Sequence, residues 1–354
     1  MTIEPYTAVG VVPHIRAIHR RSEIAANLEH LHGLCSFGGV FGSALGLPVR
    51  LIAIPEGSLQ GFTDEAEDMD HELYAETCAI DIPGPETDII ATWAKELKVH
   101  IIGQAKARHP DFPKRFFNVG FVISPEGEIV LRHYKLSPLY PVEHSVTPHD
   151  VFDLWIDKYG RTLDAFWPVA DTPIGRIGIM MANEASYPEN ARGLAMNGCE
   201  IAYRSAYPHP GTSSGMFEIQ NRARALDNNM YVLAPNAGAY YGSIDATGAI
   251  DAFAGQSMIV DYQGRITGEY RHGGNASVVM STIDIGALRH FRLNSPWANW
   301  AKDLRTEMYQ LIYEKPVYPK NLYAGRVPFK HKEYREKVTL PQIALMRSRG
   351  IWHA

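Results

Sequence analysis

The 354-residue chain has only three cysteines, Cys35, Cys78 and Cys199, and no C-x-x-C pair. So sparse and odd a set excludes a disulfide scaffold and a zinc ribbon, and it suits a reducing compartment, so a cytoplasmic location is expected. Neither sign of charge is in large excess: 34 Lys and Arg face 39 Asp and Glu, a formal net charge of −5. There is thus no basic field for nucleic acid or anionic lipid, and neither partner is expected. No apolar run reaches the roughly 18 residues that a membrane helix needs. The opening Met1-Thr-Ile-Glu-Pro5 lacks the basic-then-apolar layout of a secretory signal. No P-loop or G-x-G-x-x-G follows a strand pattern, and Gly38, Gly39 and Gly42 read as a flexible loop. The 15 histidines are scattered. His30/His32 and His144/His149 are the closest groups, and neither has the i, i+4 spacing with a carboxylate of zinc hydrolases. No metal and no cofactor is expected.

What the chain does have is 45% apolar residues, enough for a large core and one large domain or two. Short β-branched runs at 7–12, 49–54, 99–103, 176–181, 201–203, 231–234 and 278–283 predict strands. Helical spacing predicts helices over 23–34, from Thr87 as cap to Leu97, over 188–197 and over 217–227. Pro125-Glu-Gly127 and Tyr262-Gln-Gly264 sit between strand patterns and predict two hairpins, so mixed sheets in layers are expected rather than one parallel sheet. After about residue 290 the chain turns Pro-punctuated, with one helix expected over 300–313, and reads as a tail that wraps its own domain or a neighbouring subunit.

Three polar sites follow predicted strands. Ile54-Pro55-Glu56-Gly57 fixes a carboxylate at a strand end. Alone, such a Glu is ordinarily a solvated loop residue. Lys135 ends a strand and is followed by Pro138, Pro141 and Glu143, with Leu139 and Tyr140 between. That lysine could be a surface snorkeller or an oxyanion stabiliser. Gly178 to Glu189 runs from an apolar strand through Ala182-Asn183-Glu184 into Tyr187-Pro188-Glu189, a setting in which a nucleophile is presented beside free backbone N–H groups.

Taken together these motifs resemble the nitrilase, or carbon–nitrogen hydrolase, superfamily. Its members carry a Glu after a "PE" strand end, a Lys at a later strand end, and a Cys in an elbow followed by "PE"; here those positions are Glu56, Lys135 and Ala182. Asn221 to Val232 and Ser257 to Gly264 are similar to two further family stretches, and the resemblance spans residues 7 to 290. Within the superfamily the chain is most similar to the aliphatic amidase and formamidase branch, on Glu143 eight residues after Lys135, the Ser186-Tyr187-Pro188-Glu189 ending, and Arg204 with Tyr207 after the next strand. The resemblance implies a four-layer αββα sandwich over 1–290, a C-terminal extension over 291–354, and dimers or larger homo-oligomers. It implies a small amide as substrate, cut to acid and ammonia through a cysteine thioester. Glu56 would be the base, Lys135 and the backbone N–H of Asn183 the oxyanion donors, and Glu143 a substrate or water ligand. Leu139, Tyr140, Asn183, Tyr187, Arg204 and Tyr207 would contact substrate.

Two departures matter. A methyl group cannot attack a carbonyl, so Ala182 makes the chain inactive by that route. It reads as a replaced cysteine, with a natural pseudoenzyme used for binding or assembly as the alternative. A nitrilase or N-carbamoyl hydrolase using the same residues is a further alternative. Leu139 also stands where the branch has an aromatic, and residues 146–166 look like an insertion, so a substrate bulkier than formamide is expected.

Overall fold

The short apolar runs form two six-stranded mixed sheets in the computed structural model, which describes residues 3–205, 214–250 and 252–353. The first sheet orders Ser277–Ile283, Tyr6–Val12, Val49–Ala53, His100–His109, Phe112–Ile123 and Ile129–Tyr134. The second orders Ile266–Tyr270, Ser257–Val260, Tyr231–Ala234, Ile201–Tyr203, Gly175–Ile179 and Val169–Thr172. Both expected hairpins are present as antiparallel pairs, Phe112–Ile123 with Ile129–Tyr134 and Ser257–Val260 with Ile266–Tyr270.

Strand alternation explains the layers, because successive side chains leave a strand on opposite faces. Tyr6, Ala8, Leu51, Ala53 and Ile102 pack against Ile177, Ile179, Ile201, Tyr203 and Leu233 to fill the space between the sheets. The alternate residues Val9, Val11, Ile52 and Ile101 meet Leu28, Leu31, Ile90 and Trp93 of the helices Ile24–Gly42 and Pro85–Leu97. On the far side Ala202, Val232 and Met258 meet Ala191, Leu194, Phe217 and Ala225 of Pro188–Met196 and Met216–Asn228. The result is helix, sheet, sheet, helix.

Three local expectations are corrected. The glycine-rich stretch is not a loop but the last turns of the helix Ile24–Gly42. A Cβ at Gly38 would meet Val9 Cγ1 at 2.8 Å, and one at Gly42 would meet Val49 Cγ2 at 2.6 Å. The glycines there allow a close helix-on-strand approach. Thr87 helps cap its helix from the third position, its Oγ1 accepting the Gly84 N–H at 2.9 Å, while Gly84 is the cap itself. The helix expected over 300–313 is broken into a turn at Trp300–Asp303 and a helix at Thr306–Tyr313. Further on, Tyr323, Phe329, Tyr334 and Val338 are buried with the helix-and-sheet core of the first sheet. Among the described residues no helix is long and apolar enough to cross a membrane.

Candidate active site

Strand direction brings the polar tips together. Val49–Ala53 and His100–His109 are parallel, and two antiparallel steps make Ile129–Tyr134 run the same way, so Glu56 and Lys135 both leave one edge of the first sheet. In the second sheet Gly175–Ile179 and Ile201–Tyr203 are also parallel, and they end at Ala182 and at Arg204-Ser205. The sheets are tied at these ends by the Tyr203 hydroxyl, which donates to the Ile54 carbonyl at 2.6 Å.

There a buried charge cluster forms. Lys135 Nζ donates to Glu56 Oε1 at 2.8 Å and to Glu143 Oε2 at 2.7 Å, and all three side chains are at most 3% exposed. Asn118 Nδ2 bridges the same two carboxyls, donating to Glu56 Oε1 at 2.6 Å and to Glu143 Oε1 at 2.8 Å. Gln104 Nε2 holds Asn118 Oδ1 at 2.6 Å, while Gln104 Oε1 accepts the Gly57 N–H at 2.9 Å. The Leu139 N–H (3.0 Å) and Ser145 hydroxyl (2.8 Å) complete Glu143.

The two carboxyls are driven apart. Burial raises the Glu56 pKa and Glu143 adds to the rise, against the pull of Lys135. Glu143 is buried as well, but Lys135, Lys106 and its hydrogen bonds outweigh desolvation and hold it down, to about 2. Lys135 is pushed up because the two carboxylates overcome its own desolvation. One carboxyl is therefore poised to exchange a proton while the other stays ionised, the pattern that separates a base from an electrostatic anchor.

The elbow faces this cluster. Ala182 has φ +40°, a left-handed conformation that costs a non-glycine residue energy and recurs where function demands it. Its N–H donates to Ser205 Oγ at 3.1 Å, and that hydroxyl reaches Glu56 Oε2 at 3.5 Å. Glu184 staples the elbow to the lysine. Its Oε2 accepts the Met181 N–H at 2.6 Å, its Oε1 accepts the Leu136 N–H at 2.7 Å, and His133 Nε2 lies 2.9 Å away.

The remaining expected residues have different surroundings. The Asn183 side chain is held by the backbone after Lys135, Nδ2 donating to the Pro138 carbonyl at 2.9 Å. Arg204 is fully buried beneath the elbow, donating to the Ala182 carbonyl at 3.3 Å, Gln220 Oε1 at 2.7 Å and Asn221 Oδ1 at 3.0 Å. Its guanidinium ties the elbow to the helix Met216–Asn228. Tyr140 is stacked on Tyr334 at 4.5 Å and on Tyr318 at 5.7 Å. Tyr140 and Tyr187 line a cavity of about 840 Å³ that borders Leu136 and Ser137, the residues after Lys135. Tyr207 lies outside the described residues. No cysteine is in reach of the nucleophile's role. Cys199 is fully buried, its thiol donates to the Ile201 carbonyl at 3.2 Å, and burial pushes its pKa up to about 12.

Sequence reading missed Asn118, Gln104, Ser205 and Glu184 as parts of the site. A polar residue inside an apolar strand, as at Gln104 and Asn118, is the one local signal that could have found two of them. Asn118→Leu keeps the size and removes both donors. It is expected to cost about 3 kcal/mol, since hydrogen bonds to charged groups are worth ~1.5–3 kcal/mol each. Urea unfolding at neutral pH checks it.

Comparison with known proteins bears on the family and the fold. The pattern of the family described as "Carbon-nitrogen hydrolase" matches residues 12–293. The formamidases of Bacillus thuringiensis (strain Al Hakam) and Bacillus cereus (strain B4264) are each 31% identical over 196 residues, 55% of this chain and 52% of theirs. The chain thus spans about half the length of the curated relatives it matches. In structure it is similar to an amidase from Nesterenkonia sp., with a TM-score of 0.61 and 15% identity, covering 87% of this chain and 96% of that one. It is also similar to the carbon-nitrogen hydrolase from Helicobacter pylori G27, with a TM-score of 0.64 and 17% identity, covering 88% and 99%.

Proposed function

This chain belongs to the carbon–nitrogen hydrolase family, and from that premise we propose that it carries an amidase-type site in which Ala182 stands where the attacking cysteine belongs. The observation that carries the reading is the buried Glu56–Lys135–Glu143 cluster at the foot of the strained elbow. The wider class is a hydrolase of carbon–nitrogen bonds other than peptide bonds. In the chain as it stands the site binds an amide and does not turn it over by this route, because no thiol is present at 182.

With a cysteine there, the thiol proton passes to Glu56 and a carbon–sulfur bond forms at the amide carbonyl. Lys135 and the Asn183 N–H receive the oxyanion. Glu56 then returns its proton to the departing nitrogen, the carbon–nitrogen bond breaks, and ammonia leaves a thioester. Water that loses a proton to Glu56 cleaves the thioester to the acid and the free thiol. Glu143, kept ionised, holds Lys135 and orients the amide N–H or that water.

The cavity beside Ser137 supports an acyl group larger than formyl. Leu163 and Phe166 from the inserted segment line it with Tyr140 and Trp167, and Arg161 brings a guanidinium to its walls. The exposed Phe37, Val40 and Phe41 on the first helix support self-association into a dimer or larger homo-oligomer. The test of substrate class is a panel of amides from formamide to aromatic amides, titrated against this chain by calorimetry and assayed for ammonia on Ala182→Cys. Tighter binding and faster turnover of the larger amides are expected. A strong preference for formamide contradicts the size assignment, and hydrolysis of nitriles in preference to amides contradicts the reaction assigned.

A further inference from the structure

We propose that Asp68, His144 and His331 form a binding site for a divalent transition metal of the zinc class, which pins the C-terminal segment to the loop that carries Glu143. The three residues are far apart in the chain, so no spacing motif announces them. Asp68 follows the helix Thr63–Ala66 and has φ +50°. His144 is the neighbour of Glu143, and His331 opens the helix His331–Tyr334.

The ligand atoms already converge, all within 4.8 Å of one another. His144 Nε2 is 3.0 Å from Asp68 Oδ1, and His331 Nε2 is 3.6 Å from the same oxygen. Zinc holds nitrogen and oxygen ligands at about 2.0–2.2 Å in a tetrahedron, which sets neighbouring donors about 3.3–3.5 Å apart. Both carboxylate–imidazole separations are within about 0.5 Å of that spacing.

A second observation points to a missing partner. His144 is 3% exposed, and its Nε2 has no hydrogen-bond partner despite the nearby carboxylate. Buried polar nitrogens are ordinarily satisfied, so an orphan beside an acid and a second imidazole calls for a ligand.

The surroundings fit a cation. The His331 N–H donates to Asp68 Oδ1 at 3.0 Å and so fixes the carboxylate, and His71 Nδ1 lies 3.0 Å from the His144 carbonyl. In the metal-free chain His331 Nε2 donates to the Val142 carbonyl at 3.1 Å, a bond the ring gives up, with its Nε2 proton, when it ligates the ion. Lys330 Nζ bonds the Asp68 carbonyl rather than its carboxylate. The side chains of Asp68 and His331 are 36% and 28% exposed, which leaves an entry path.

The test uses the full chain, stripped with a chelator and titrated with zinc alone by calorimetry, then with cobalt(II) by visible absorption. One equivalent of zinc per chain is expected, at micromolar or tighter affinity, with a rise in Tm and a tetrahedral cobalt spectrum. Because His144 is buried and its replacement could unfold the chain, the informative variants are the part-exposed Asp68→Asn and His331→Ala. Each is expected to weaken zinc binding at least about tenfold with circular dichroism unchanged. His290→Ala, at a histidine remote from the cluster, is expected to change nothing. No binding tighter than about 100 μM, or unchanged binding in either cluster variant, overturns the proposal and leaves the three side chains as a charge-paired contact only.

Discussion

Ala182→Cys is expected to turn this chain into an amide hydrolase, raising ammonia release by on the order of 10⁴-fold or more over the unmodified protein, as restoring a missing nucleophile does. Little rearrangement is needed. The elbow already holds residue 182 at φ +40°, and its N–H is bound to the Ser205 hydroxyl that reaches Glu56. A thiol of pKa near 8.5 needs help at neutral pH, and the raised Glu56 pKa suits it for taking and returning that proton. The pH profile should carry the same signature. As pH falls through the Glu56 pKa the base gains a proton and the rate drops, so the acid limb should lie above the usual glutamate value of about 4.3. Adding Glu56→Gln should remove that limb together with the activity. A well-folded Ala182→Cys protein that binds amides and releases no ammonia contradicts the nucleophile assignment and leaves a binding protein.

Lys135→Ala carries the largest expected effect on stability, about 3–5 kcal/mol at pH 7, because it strands two buried carboxyls without their shared cation. That corresponds to a fall in Tm on the order of 5–15 °C. The sign of its pH dependence follows from the two shifts. Glu143 is lowered in the folded state, so its attraction to Lys135 contributes stability above about pH 4.5 that is lost as pH falls toward 2. Glu56 is raised, so its burial favours folding below its ordinary value and counts against it as pH rises, more so without the ammonium. The stability gap between the unmodified chain and Lys135→Ala should therefore widen from pH 2 to pH 7. Glu143→Gln should behave differently, since removing the neighbouring negative charge lowers the Glu56 pKa. A pH-independent gap in urea unfolding contradicts the charge assignment.

The sequence made the tips of the site legible because each has a local cause. Pro55 ends a strand before Glu56, the strand Ile129–Tyr134 ends at Lys135, and the run into Ala182 is an apolar strand followed by Pro188 at the start of a helix. The partners that tune those groups have no such cause. Asn118 and Gln104 are polar residues inside strands, and only the antiparallel pairing of His100–His109 with Phe112–Ile123 makes them neighbours. Glu184 looks like an ordinary helix-start acid until its carboxylate is seen bridging Met181 and Leu136. Arg204 is legible as a feature after a strand, while its full burial beneath the elbow depends on packing that the sequence does not display. Gly38 and Gly42 are not legible as helix residues because composition suggests freedom where the real constraint is strand side chains 2.8 and 2.6 Å from where a Cβ would be.

A crystal of the unmodified chain soaked with a small aliphatic amide tests the convergence of Glu56, Lys135 and residue 182 most directly. The expected density places the amide carbonyl carbon in contact with the Ala182 methyl group, its oxygen within hydrogen-bond distance of Lys135 Nζ, and its nitrogen near Glu143. An amide bound elsewhere at saturation, or a site that stays closed to it, contradicts the account.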